Sequence, residues 1–189
     1  MNMTSKQAII QSKDYSNQRL EETEYEFIHF INCDFTNARL NGVDFIDCTF
    51  SNCNLSNASL DAASLKGCTF IECKMLGLSF SPTRDFGFEI HVKQSNLSFA
   101  SFDKKKLYKS TFSQCNMEGV NFTQADLSKS KLSECNLLDA LFNTTNLSGV
   151  DFRTNTGFLI HPEANSIKKA RFLSQDLHRL LAAYNIVVD

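Results

Sequence analysis

The chain has 189 residues, a length that predicts one domain with a sizeable core. Its formal net charge of −2 argues against a nucleic-acid-binding protein. Its seventeen phenylalanines, two prolines and lack of tryptophan fit neither a helical bundle nor an ordinary α/β enzyme. No apolar run reaches the length of a membrane span, and the N-terminus lacks the apolar segment of a signal peptide. With an odd number of cysteines, seven, we expect a cytoplasmic protein with reduced thiols.

A five-residue repeat follows a lead-in that we place at residues 1–14, and the repeat region is predicted to span residues 15–153. Every fifth residue, here termed the centre, is large and apolar from Tyr25 to Phe80 and again from Leu97 to Phe152. Residues two apart in an extended chain point to the same side. Because five is odd, successive centres can all face inward only if the chain turns within each unit, and repeated turning in one sense gives a solenoid.

The position two residues before each centre is small and is also predicted to face inward. It holds all seven cysteines, and its exceptions are Ile28, Leu78 and Lys105. Burying an unpaired ammonium is costly, so either the unit around Lys105 bulges outward or its side chain reaches water. Because alanine and valine share the position, we interpret the cysteines as core residues and predict no metal, no cofactor and no catalytic residue.

One coil of the solenoid could hold three or four units, which would stack residues at an offset of 15 or 20. The offset of 20 aligns more like residues, including the columns Phe30–Phe50–Phe70 and Phe102–Phe122–Phe142. The sequence therefore favours four faces per coil, with coils about 4.8 Å apart.

The register breaks by two residues between Phe80 and Leu97, and we place a loop at about residues 81–91. Its proline and glycine are typical of a loop. Phe86 and Phe88 lie out of register. The loop either folds its aromatic side chains back onto the coil or projects as a recognition element.

The C-terminal residues, 154–189, are predicted to form a cap and a dimerisation helix. Ser174 is a candidate N-cap for a short α-helix. The apolar residues of this helix and of the tail after it could cover the open end of the solenoid or form a twofold dimer. The predicted dimer interface comprises Leu177, Leu180, Leu181, Tyr184, Ile186 and Val188.

Charge is distributed unevenly along the repeats. Residues 14–80 hold ten acidic and four basic residues, whereas residues 81–153 hold eight acidic and nine basic residues. The acidic half could serve solubility, or it could compete with DNA for a cationic groove, since DNA is a rod of regularly spaced negative charge.

Units such as Ala38-Arg39-Leu40, Ala58-Ser59-Leu60 and Ala125-Asp126-Leu127 resemble the A(D/N)LXX motif of the pentapeptide-repeat family. That resemblance implies an all-β fold, a right-handed quadrilateral β-helix, with a short C-terminal α-helix. It implies no enzymatic activity.

Within that family the chain resembles the Qnr-type and microcin-immunity-type proteins, on Thr83-Arg84 in the loop and on the re-entry at residues 96–102. The second, larger loop often found in Qnr-type proteins is missing, because residues 97–152 run without interruption. The resemblance implies a DNA-mimicking homodimer that protects bacterial gyrase or topoisomerase IV from quinolones or a peptide toxin, without binding nucleic acid or membrane itself. The expected contact residues are Glu21, Glu22, Glu24, Glu26, Asp34, Asp44, Asp47, Arg84, Asp85, Phe86 and Phe88.

The alternative is a scaffold without a topoisomerase role that binds another protein through exposed apolar positions. Ile31 and Ile71 are the candidates, since an offset of two coils places them on one face. Mimicry should weaken with ionic strength, whereas apolar docking should not.

Overall fold

The computed structural model describes residues 8–184 and residue 186. They form a right-handed quadrilateral β-helix with one short C-terminal α-helix, as predicted. Its strands are β1 (Ala8–Gln11), β2 (Glu24–Glu26), β3 (Ile28–Ile31), β4 (Asp44–Ile46), β5 (Thr49–Ser51), β6 (Ser64–Lys66), β7 (Cys68–Ile71), β8 (Ile90–Lys93), β9 (Thr111–Ser113) and β10 (Lys131–Ser133). No helix within these residues has the length and apolar character needed to cross a membrane.

All strand pairing is parallel. One face carries a seven-stranded sheet of order β1-β3-β5-β7-β8-β9-β10, and the preceding face carries a three-stranded sheet of order β2-β4-β6. Phe30 pairs with Phe50 and Phe50 with Phe70, an offset of 20 that confirms four units per coil. Between β7 and β8 the offset is 22, since Phe70 pairs with Val92.

The centres fill the core, and their rings stack from coil to coil. Ring centroids are 4.8 Å apart for Phe30 and Phe50, and 4.9 Å apart for Phe50 and Phe70. A second column runs through Phe102, Phe122 and Phe142 at 5.4 and 5.5 Å. Each such aromatic pair adds about 0.5–1.5 kcal/mol beyond the burial of its area.

The small inward positions let the backbone close around these rings. All seven cysteines are buried and free. The thiols donate hydrogen bonds to backbone oxygens. For example, the Sγ atoms of Cys53 and Cys73 donate to the oxygens of Phe30 and Phe50 at 3.5 and 3.4 Å. This confirms their interpretation as core residues.

The solenoid is longer than the predicted 15–153. At the start, β1 pairs with β3, so Ala8–Gln11 belongs to the first coil rather than to a lead-in. At the end, the ring of Phe172 stacks on Phe152 at 5.2 Å, although residues after 153 were assigned to a cap. The five-residue register continues through Ile167 and Phe172, but Gly157 and Pro162 occupy the two centres between, which hides the repeat in the sequence.

The C-terminal segment consists of a 3-10 turn at Ser174–Asp176, helix α1 at His178–Leu181 and a 3-10 turn at Ala182–Tyr184. The prediction of Ser174 as the N-cap is wrong. Ser174 is the first residue of the 3-10 turn, so Leu173 occupies the N-cap position of that turn. Leu177 occupies the N-cap position of α1. Neither leucine has a side chain that can accept a capping hydrogen bond.

Candidate partner-binding surface

The face that carries β2, β4 and β6, here called the first face, gathers most of the predicted contact residues. Glu24 and Asp44 pair across β2 and β4, and Glu26 pairs with Ile46. Asp47 occupies the corner after β4, and Glu21 and Glu22 precede β2. Six of the predicted acidic residues therefore lie within two adjacent coils. This follows from their close spacing in the sequence, because one coil of four pentapeptide units spans 20 residues.

Four of these acids are exposed and have no counter-ion. Glu21, Glu22, Glu24 and Glu26 make no ion pair with any described residue. Burial, with neighbouring charges that include Glu22 and Glu21, raises the pKa of Tyr25 to about 12. The negative charge of the four exposed glutamates is therefore available to attract a cationic surface.

Asp34 does not join this group. It lies two units further along the coil, on the opposite face, in a column with Asp14 and Asn54. Its carboxylate accepts a hydrogen bond from the backbone N–H of Thr36 at 2.8 Å, as Asp14 does from Ser16. Asp34 thus closes a turn of the solenoid rather than extending the acidic surface.

The register break is shorter than the predicted loop at 81–91. The backbone N–H of Arg84 donates to Ala63 at 2.8 Å, so Arg84 still follows the coil, and β8 already begins at Ile90. The extra residues are therefore confined to 85–89, here called the insert. A change of only two residues leaves no room for a long projecting loop.

Arg84 fastens the start of the insert to the acidic coils. Its Nε donates to the oxygen of Ala62 at 2.7 Å, and its guanidinium also donates to the oxygen of Gly42 at 3.1 Å. The same group contacts the carboxylate of Asp44 at 2.9 Å. One side chain thus spans two coils, and its donors bind the chain itself.

The contacts of Lys105 account for its inward position and for the shape of the insert. Its side chain is only 2% exposed, and its amine donates to Asp85 at 2.8 Å and to the oxygen of Thr83 at 2.5 Å. The amine also lies 5.0 Å from the ring centroid of Phe88. The inward lysine therefore fills the space beneath the insert, and its charge is paired with that of Asp85. No sequence pattern indicates this contact.

The two aromatic residues of the insert behave differently. Phe88 is buried against Phe80, with ring centroids 6.4 Å apart, so it folds back onto the core. Phe86 is 85% exposed, and the amine of Lys66 lies 5.7 Å from its ring centroid. Phe86 is the one predicted aromatic contact that the fold presents to a partner.

Beyond the insert the first face becomes basic and aromatic. The charge counts for residues 14–80 and 81–153 do not show this feature. Lys106, Tyr108 and Lys109 occupy the next coil, and Lys129 the one after, with its amine 5.0 Å from the ring centroid of Tyr108. Aligning the sequence at the 20-residue offset, with two residues added at the insert, would have found this column.

The remaining predicted residues are placed as follows. Ile31 and Ile71 share a column of the seven-stranded sheet, with Ser51 between them, and both are half-buried. At the C-terminal end Leu180 packs against the core, whereas four predicted interface residues are exposed: Leu177, Leu181, Tyr184 and Ile186. Val188 lies outside the described residues.

No deep cavity with reactive groups accompanies this surface in the described part of the chain. A depression of about 700 Å³ lies near the C-terminal end, where Asp151 and Arg153 pair at 2.7 Å. That contact lowers the pKa of Asp151 to about 2. The described residues contain no cluster of histidine, cysteine or carboxylate side chains able to hold a metal.

Comparison with known proteins identifies the repeat. A family model described as pentapeptide repeats (8 copies) matches residues 19–52, 28–67 and 48–81, and one described as pentapeptide repeat region matches residues 88–157. Trypsin-treated QnrB1, a plasmid-mediated fluoroquinolone resistance protein, superposes with a TM-score of 0.65 at 20% identity, over 96% of this chain and 98% of that chain. Full-length QnrB1 gives 0.59 at 17% identity, over 95% and 100%. No curated protein sequence matches.

Proposed function

The chain belongs to the pentapeptide-repeat family, and we propose that it is a DNA-mimicking protein that binds a bacterial type II topoisomerase, gyrase or topoisomerase IV, and protects it from poisons. The poisons would be quinolones or a peptide toxin. In this role the protein acts by occupancy in the cytoplasm, as a homodimer through its C-terminal segment, and it is not an enzyme.

The observation that carries the proposal is the cluster of four unpaired glutamates in coil one, with the exposed ring of Phe86 further along the solenoid. Glu24 and Asp44 lie on successive coils, about 4.8 Å apart, a spacing of the same order as the phosphates along one DNA strand. Arg84 and Lys105 hold the insert in place, so Phe86 loses little conformational freedom when it docks. The likeness in fold to a fluoroquinolone resistance protein over nearly the whole of both chains is consistent with such a role.

The test is DNA supercoiling by purified gyrase in ciprofloxacin, with the protein titrated in. The variant with Glu21, Glu22, Glu24 and Glu26 changed to Gln should lose protection, and Phe86→Ala should weaken it. Deleting the insert would be uninformative, because Phe88 and Asp85 support the core.

The matched control neutralises four acids away from the first face. It carries Glu72→Gln, Glu118→Gln, Glu134→Gln and Asp139→Asn. Protection that the control loses as readily as the acidic variant would mean that net charge alone acts. The proposal would be overturned if the wild-type protein neither protected gyrase from the drug nor inhibited it.

Binding to another protein through apolar positions is the competing function. Ile31 and Ile71 are only half-buried and lie on one face. A partner whose affinity is unchanged between low and high salt, and which Ile71→Ser releases, would favour it.

A further inference from the structure

The first face changes sign along the solenoid axis. Counting its coils from Glu24, coils one and two present Glu24, Glu26, Asp44 and Asp47, and no base. Coils three to eight present seven bases against the three acids Asp85, Glu89 and Asp126. The seven bases are Lys66, Arg84, Lys106, Lys109, Lys129, Lys168 and Lys169.

Most of these charges are unsatisfied within the chain. Lys106, Lys109 and Lys129 make no ion pair with a described residue, nor do Lys168 and Lys169. The acids of coil one are equally unpaired. One face thus holds two complementary sets of charge four to seven coils apart, too far to meet within one molecule.

The middle of the same face carries two exposed aromatic side chains. Phe86 and Tyr108 lie on coils four and five of this face, with 85% and 39% of their surfaces exposed. Exposed aromatic residues at the centre of a surface, with charges towards its ends, are typical of protein interfaces.

We propose that the first face is a self-association surface, on which two copies pair face to face about a twofold axis between coils four and five. This twofold axis is perpendicular to the solenoid axis and reverses one copy relative to the other, so coil one faces coil eight and coil three faces coil six. Glu24 and Glu26 then meet Lys168 and Lys169 of the second copy. Lys66 meets Asp126, and Phe86 meets Tyr108.

The occupant is a second copy because the charge pattern is self-complementary in this arrangement. A face of eight coils at about 4.8 Å is roughly 40 Å long, so a strip about 10 Å wide covers roughly 400 Å² per copy. The total of about 800 Å² lies below the range of stable specific interfaces and predicts a weak, transient and salt-sensitive pair. The pair covers the glutamates and Phe86, so it would compete with a partner of the first face.

This pairing does not rest on the proposed topoisomerase role, and it differs from a dimer through the C-terminal segment. That end-to-end contact uses exposed apolar side chains such as Leu177 and Leu181, so salt should not dissolve it. Sedimentation velocity of the full chain in high salt therefore measures the end-to-end state, and the additional mass in low salt measures the face-to-face pair.

The test uses two charge-reversal variants. Glu24→Lys/Glu26→Lys makes both ends of the face basic, and Lys168→Glu/Lys169→Glu makes both ends acidic. Each variant alone should associate at least about tenfold more weakly than the wild type in low salt, because like charges then meet. An equimolar mixture should restore pairing, because each copy again offers what the other lacks.

The control reverses two acids elsewhere, Glu72→Lys/Asp139→Lys, and should pair as the wild type does. Register is tested with Lys66→Cys/Ser128→Cys and a short bis-maleimide, which should join two chains. The two sites lie about three coils, roughly 14 Å, apart within one chain. A wild-type mass that does not change with salt, a mixture that stays dissociated, or a control that dissociates equally would overturn the proposal.

Discussion

At the scale of single residues, Lys105 and Asp85 form an asymmetric pair. Lys105 is 2% exposed, whereas the carboxylate of Asp85 is 73% exposed. Water can solvate one partner but not the other. Removing either residue therefore has different consequences, even though both changes break the same contact.

We expect Asp85→Ala to destabilise the protein by about 1–3 kcal/mol, because it leaves a buried ammonium with no anionic partner among the described residues, held by the oxygen of Thr83 and the ring of Phe88. Lys105→Met should cost less, since it removes the buried charge and retains most of the side-chain volume. Urea unfolding of both variants measures the order. A larger loss for Lys105→Met would show that the charge itself stabilises the insert.

The buried thiols make a second prediction. Burial raises the pKa of Cys48 and Cys68. In the unfolded chain these thiols ionise near their ordinary pKa of about 8.5, whereas in the folded protein they stay neutral. The stabilisation is complete below pH 8.5 and is lost as the pH rises, by up to about 1.4 kcal/mol per pH unit for each thiol.

Urea unfolding between pH 7.5 and pH 10 should show this loss, and Cys68→Ala should make the dependence on pH shallower. In the native state at pH 8, Ellman's reagent should leave all seven thiols unmodified until the protein unfolds. Rapid reaction of Cys48 or Cys68 with the reagent would contradict the burial of the cysteine positions.

At the scale of elements, the insert depends on the strap that Arg84 makes across two coils. Its hydrogen bonds to Gly42 and Ala62 use the planar fork of the guanidinium, which lysine cannot reproduce. We expect Arg84→Lys to cost about 0.5–1.5 kcal/mol. Hydrogen exchange should quicken at the amide of Glu89, which donates to Leu65.

Arg153→Lys is the matched control, because the one ion pair of Arg153 with a described residue is with Asp151, two residues away on the surface. It should change stability by less than about 0.5 kcal/mol. Equal effects of the two substitutions would mean that the strap does not hold the insert.

The elements also show where prediction from the sequence ends. The inward column of centres follows from a period of five and from side chains alone, so the strands and their register were predictable. The insert was not, because the period says only that two residues are extra. The space that Lys105 occupies exists only once Thr83 and Asp85 are placed on the preceding coil.

At the scale of the whole molecule, the same limit applies to the surface. The acidic residues of coils one and two could be grouped from the sequence, since they follow one another in the chain. Asp34 could also have been excluded from them, because four units per coil place it two units after Glu24, on the opposite face. The polarity of the first face required both the offset of 20 and the shift to 22 at the insert.

The stacking of coils predicts how stability is shared along the solenoid. In a repeat architecture each unit contacts only its neighbours, so its free energy of unfolding is close to a sum of units and adjacent interfaces. Phe50 stacks on Phe70 at 4.9 Å, whereas Phe122 lies more than two coils away on another face. Substitutions at Phe50 and Phe70 should therefore couple, and those at Phe50 and Phe122 should not.

We expect the double variant Phe50→Leu/Phe122→Leu to lose the sum of the two single losses, to within about 0.5 kcal/mol. For Phe50→Leu/Phe70→Leu the loss should depart from the sum by about 0.5–1.5 kcal/mol, because each single change already removes their shared ring contact. Urea unfolding of the singles and doubles gives both cycles. Coupling of equal size in the two doubles would mean that the rings act through the whole core rather than through adjacent coils.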